Sequence, residues 1–121
     1  MGFMISEDGK LCDMKMALAR MGGNAELLKQ AMELIRADLP DVLNQLRSGV
    51  AAGNAVVVER AAHSMQGMVV TFDAEAALIA ARRLEQMGQA RDLSTAAGAM
   101  QDLERQIDRL DKELTAELQK G

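Results

Sequence analysis

The chain has 121 residues, room for one domain with one core and not comfortably for two. A formal charge of −4 argues against a nucleic-acid partner, and two Phe with no Trp or Tyr leave little for base stacking. An apolar fraction of 49% excludes intrinsic disorder, and no apolar run approaches the ~18 residues of a membrane span. No signal-peptide pattern opens the chain, so a cytoplasmic protein without membrane insertion is expected. The single cysteine, Cys12, cannot form an internal disulfide, which suits a reducing compartment. It has no second Cys or local His to make it a nucleophile or a metal ligand. Ala, Leu and ten Met supply the apolar bulk, a composition that favours helix over strand. The fold is expected to be all-α.

Residues 1–9 read as a loose arm, and residues 10–120 as one helical domain. Leu11, Met14, Leu18 and Met21 repeat at helical spacing until Gly22 and Gly23 stop that first short helix. Asn24 can cap the next, whose apolar stripe is read as Leu27, Ala31, Leu34 and Ile35. Asp38-Leu39-Pro40 is expected to break or kink it, and Val42, Leu43, Leu46 and Val50 follow on a third stretch. Gly53-Asn54 punctuates again, with Asn54 as cap. A fourth helix runs to about Thr71, with Val57, Ala61, Ser64, Met65, Met68 and Phe72 along one face. Asp73 is read as the cap of a fifth helix, supported by Glu75, and Gly88 as its closing residue. The last helix begins near Asp92 and carries Leu93, Ala96, Met100, Leu103, Ile107, Leu110, Leu114 and Leu118. Short connections make neighbours antiparallel, giving an up-down four-helix bundle with a short additional N-terminal helix.

The chain has one histidine. His63 points away from the apolar face of its helix, onto a face shared with Glu59, Arg60, Gln66 and Gly67. A glycine inside an exposed helix costs roughly 0.5–1 kcal/mol relative to Ala, so Gly67 suggests a notch that something must enter. If the chain reverses near residues 72–74, the level of His63 on the next helix falls near Arg83. Arg82, Glu85 and Gln89 share one face there and can flank the imidazole. A carboxylate beside it would hold one ring nitrogen as N–H and leave the other as nucleophile. The bland alternative is an ordinary surface histidine. No metal site is expected, because zinc wants three or four ligands and only one His exists. A Ser64–His63 dyad is disfavoured because adjacent helical side chains diverge.

The segment Ala61-Ala62-His63-Ser64-Met65-Gln66-Gly67 resembles the AH-x-LKG signature of histidine-containing phosphotransfer (HPt) domains. Met21-Gly22-Gly23-Asn24-Ala25-Glu26-Leu27-Leu28 is similar to the family's GGD-x-ELL opening, and Asp38-Leu39-Pro40 to its DLP joint. Ala51-Ala52-Gly53-Asn54 resembles its A-x-GD turn, Phe72-Asp73-Ala74 stands where the family has xGA, and residues 83–88 are similar to LE-x-xG. The likeness spans roughly residues 14–118. It implies a phosphocarrier rather than an enzyme, with His63 phosphorylated, Gly67 giving access and the surrounding helix faces docking response-regulator receiver domains. It implies no cofactor of its own, since the receiver supplies the acidic pocket and Mg²⁺, and it leaves room for a hybrid sensor kinase as a further partner. Two residues depart from the pattern. Gln66 replaces the motif Lys and removes a positive charge, for which Arg60 and Arg82 lie close enough to compensate. Asp73 replaces a Gly. The competing readings are a receiver-docking domain that transfers poorly and a non-catalytic helical dimerisation module built on the last helix. A monomer is expected.

Overall fold

The computed structural model describes residues 11–120, and the expected arm at residues 1–9 lies outside them. Within that range all regular structure is helical: α1 (Met14–Arg20), α2 (Ala25–Ala52), α3 (Ala55–Val70), α4 (Glu75–Gln89) and α5 (Ala96–Gln119). Three helix starts follow the same chemistry. The side chains of Asp13, Asn24 and Asn54 accept hydrogen bonds from the backbone N–H groups of Met16, Leu27 and Val57, satisfying donors that a first turn leaves orphaned. Gly53, at φ 67°, closes α2 in the left-handed conformation that costs glycine least.

Helices α2, α3, α4 and α5 pack in a closed ring: α2 on α3, α3 on α4, α4 on α5, and α5 back on α2. Leu46, Met65, Phe72, Leu84, Leu103, Leu110 and Leu114 fill its centre. The apolar stripe of α5 lies in this core from Ala96 to Leu114, so the seam offered as a dimer interface is covered by the chain itself. Cys12 is buried, and burial together with Glu113 and Glu117 raises the pKa of its thiol. It therefore stays protonated.

Several local expectations give way to packing. Pro40 does not break the second helix: α2 runs 28 residues straight through it. Pro40 is exposed, while Leu39 on one side and Leu46 beyond are buried against the ring. Contacts on both halves therefore hold a helix that the proline alone would disfavour by about 3 kcal/mol. The stripe that α2 buries runs through Leu28, Met32, Leu39 and Leu46, while Leu27 and Leu34 stay 44% and 66% exposed. Ser64 is exposed rather than on the inner face of α3. Asp73 caps nothing. It sits at φ 55°, where Ala74 takes the cap position without a side-chain bond, and its carboxylate accepts from Arg20 at 3.0 Å. Asp92 precedes α5 by a turn and binds the backbone N–H and hydroxyl of Ser94 instead.

Gly88 is corrected too. It does not end α4 but lies inside it, buried against α3. A Cβ there would stand 2.7 Å from the Glu59 backbone nitrogen and 2.8 Å from the Ala55 carbonyl oxygen. Ala61 and Ala62 of α3 and Ala77, Ala80 and Ala81 of α4 are small as well, and all are buried. Gly88→Ala must push two backbones apart and should lower stability by about 1–3 kcal/mol. Gly98→Ala, with nothing near its new methyl, should raise it by about 0.5–1 kcal/mol. Urea denaturation of the two variants should therefore move in opposite directions.

Candidate functional site

The close approach at Gly88 sets the site. His63 is one turn beyond Glu59 on α3, and Glu85 is nearly one turn before Gly88 on α4, so the two face each other across the narrow seam. The imidazole Nδ1 lies 2.9 Å from Glu85 Oε2. The other carboxylate oxygen, Oε1, accepts from the Gln66 amide Nε2 at 2.5 Å. Glu85 is thus a bridge, its side chain 16% exposed, while the His63 side chain is 75% exposed.

The protonation pattern follows. The hydrogen bond from Gln66 lowers the pKa of the Glu85 carboxyl below the usual carboxylate range, with His63 and the charge of Arg82 acting in the same direction against desolvation. An ionised carboxylate only accepts hydrogen bonds, so Gln66 must present its NH₂ and His63 its Nδ1–H. In the neutral ring the lone pair then sits on Nε2. This is the nucleophilic form of imidazole, held by a carboxylate that is itself held by an amide.

The remaining candidates divide. Arg60 lines a cleft of about 490 Å³ together with Glu59, His63, Ser64 and Glu85. Gly67 is exposed, with open space where a side chain would stand. No part of the described chain needs its missing methyl. Arg82 acts on Glu85 through charge and does not line the cleft. Gln89 is exposed at the end of α4, and no hydrogen bond brings it to His63. The α4 residue brought to His63 is Glu85, two positions beyond the expected level at Arg83 and one of the residues expected to flank the ring. Ser64 was assigned inward, yet it is i+4 from Arg60, and that spacing is the signal that places both on the cleft.

Residues 30–119 match the family model of the Hpt domain. The chain belongs to the Hpt domain family. Its function is accordingly histidine phosphotransfer in a phosphorelay, a carrier's role, and Hpt domains interact with receiver domains of response regulators. The fold is also that of a solved structure, the histidine-containing phosphotransfer protein B (HptB) from Pseudomonas aeruginosa PAO1, at a TM-score of 0.84 and 18% identity, covering 91% of this chain and 96% of that one. No curated protein sequence matches the chain. Among the described residues, no helix is long and apolar enough to cross a membrane.

Glu85 also gives the Hpt domain a pH signature. A carboxyl with its folded-state pKa below the unfolded value contributes stability above the unfolded value, here near the ordinary 4.5. That contribution disappears as pH falls through the folded value. Glu85→Gln should flatten this part of the acid limb in pH-dependent denaturation. Gln66→Ala should move the Glu85 titration, followed by carboxyl carbon NMR, back toward 4.5.

Proposed function

We propose that His63 is the phosphorylated residue, that Nε2 is the nucleophile, and that donor and acceptor are aspartates of response-regulator receiver domains. The observation that carries this is the Nδ1–Glu85 hydrogen bond on a ring left open to solvent. Nε2 attacks phosphorus of the aspartyl phosphate in line. The N–P bond forms as the P–O bond breaks, and the aspartate leaves with the electron pair. The Nδ1 proton stays on the ring, which becomes an imidazolium, and Glu85 lies 2.9 Å away to balance that charge. Transfer to the second aspartate reverses the sequence.

The chain brings no cofactor on this reading; Mg²⁺ belongs to the receiver. The docking face includes Gly67 and Arg82, with Gln89 at its margin. The exposed Val70 and Ile79 extend it along α3 and α4, supplying an apolar border. Arg60, Arg82 and Arg83 make no ion pair among the described residues, whereas Arg20, Arg36, Arg47 and Arg105 each hold a carboxylate. A cluster of unpaired guanidiniums on a chain of charge −4 suits an acidic partner surface. We take residues 10–120 as the domain, an up-down antiparallel four-helix bundle with α1 as its additional helix. The ring of pairwise contacts supports that architecture. The protein is read as cytoplasmic and monomeric, serving receivers with or without a hybrid sensor kinase.

Phosphorylated receiver domains, offered to the native chain, should leave an acid-labile, base-stable label that His63→Gln abolishes. Binding without any label would favour the receiver-docking reading in which Gln66 has impaired transfer. Gly67→Ala should separate access from stability. It should raise the unfolding free energy by about 0.5–1 kcal/mol, yet slow transfer by about tenfold or more, because a methyl in the approach path displaces the partner on an ångström scale.

A further inference from the structure

We infer that Arg60, and not residue 66, is the group that answers the negative charge of the phosphoryl group on His63. The inference rests on His63 being the phosphorylated residue. Position 66 has a neutral amide, and one of its two N–H donors is taken up by Glu85 Oε1 at 2.5 Å. It therefore brings no charge to an incoming phosphate, and its observed bond acts through Glu85 on the ring. The cleft beside the imidazole is lined by Glu59, Arg60, His63, Ser64 and Glu85, so Arg60 is its one cation, facing two carboxylates. A phosphoryl dianion placed there would be repelled by Glu59 and Glu85 unless a cation intervened. Arg60 is three residues before His63 on α3, hence one turn away on the same face. It is exposed and holds no carboxylate among the described residues, so its guanidinium is available. A planar fork with parallel N–H groups suits two phosphoryl oxygens. Ser64, i+4 from Arg60, adds a hydroxyl to the same wall. The charge compensation is thereby moved from the C-terminal to the N-terminal side of the histidine.

Phosphoramidate is the probe, because it labels histidine without any receiver to dock. Nε2 attacks phosphorus, the P–N bond breaks, and the nitrogen leaves as ammonia. Labelling is followed by ³¹P NMR and the ring tautomer by ¹⁵N NMR, on the native chain and on Arg60→Ala, Arg60→Lys, Arg105→Ala, Gln66→Ala and His63→Gln. Arg60→Ala should slow labelling by about tenfold or more, the scale of one charge-assisted hydrogen bond, while keeping the Nδ1–H tautomer. Arg60→Lys should recover part of the rate, and Arg105→Ala, on α5 and outside the cleft, should leave it near native. Gln66→Ala should shift the tautomer ratio instead. Native labelling in Arg60→Ala would overturn the inference, as would a loss of rate accompanied by loss of the tautomer. Label persisting on His63→Gln, or no label on the native chain, would overturn the His63 reading and this inference with it.

Discussion

The contact on which the site depends is a contact between backbones. Gly88 lets α4 come within van der Waals reach of the Glu59 main chain, and the buried residues of the two helices include five alanines, Ala61, Ala62, Ala77, Ala80 and Ala81. A glutamate side chain is short. With larger residues in the seam, the Glu85 carboxylate would fall short of Nδ1, and the ring would be an exposed imidazole free to sample both tautomers. On the proposed mechanism, helix packing thus selects the nitrogen that acts, through a chain of causes that runs from one missing methyl to a helix separation, to a hydrogen bond, to a lone pair. The same logic explains two glycines with opposite meanings. Gly88 is required by the chain's own packing, whereas Gly67 is required by nothing in the described chain.

Electrostatics completes what packing begins. Glu85 accepts two hydrogen bonds from side chains of α3 and feels the charge of Arg82 from its own helix, so it remains ionised without being paired to a cation. A lysine at position 66 would neutralise that carboxylate as it oriented it. The amide orients it and leaves its charge available to the ring. On the proposed mechanism that charge matters most after transfer, when the imidazole has become cationic. The cost is that position 66 contributes no positive charge for the phosphoryl group.

The helices, the caps at Asn24 and Asn54 and the pairing of a carboxylate with His63 were legible in the sequence, because each is fixed by residues within a turn or by the register of one short reversal. The errors share a cause in longer-range contacts. The N-terminal half of α2 carries two overlapping apolar stripes, one through Leu27 and Leu34 and one through Leu28 and Met32. Only the position of α3 and α5 selects between them. Pro40 is a helix breaker locally, yet packing on both sides of it overrides that preference. Gly88 reads equally as a stop or a close contact, and the answer lies on another helix. Asp73 was read through its capping preference, whereas its backbone is left-handed, the conformation that accounts for a glycine at this place in the family pattern. Gln66 could be identified as a substitution but not assigned a partner, since its amide might serve ring, carboxylate or phosphate until the seam geometry was known.

Helix α1 is fastened differently from the ring, and its fastening bears on the site. It is seven residues long, too short to be stable by its own hydrogen bonds. Polar clamps hold it. Glu113 of α5 accepts from the backbone N–H groups of Leu11 and Cys12 at 2.6 and 2.8 Å, the N–H of Asp13 donates to the Phe72 carbonyl, and Arg20 reaches both the Val70 carbonyl and Asp73. Three of these acceptors belong to residues 70–73, the reversal that joins α3 to α4. That reversal sets the register by which Glu85 comes level with His63, and a one-residue slip would rotate the carboxylate about 100° away from the ring. Phe72 anchors the turn from inside, fully buried, while α1 grips it from outside. The short helix therefore does more than cover the end of the core: it braces the turn whose register gives the histidine its partner.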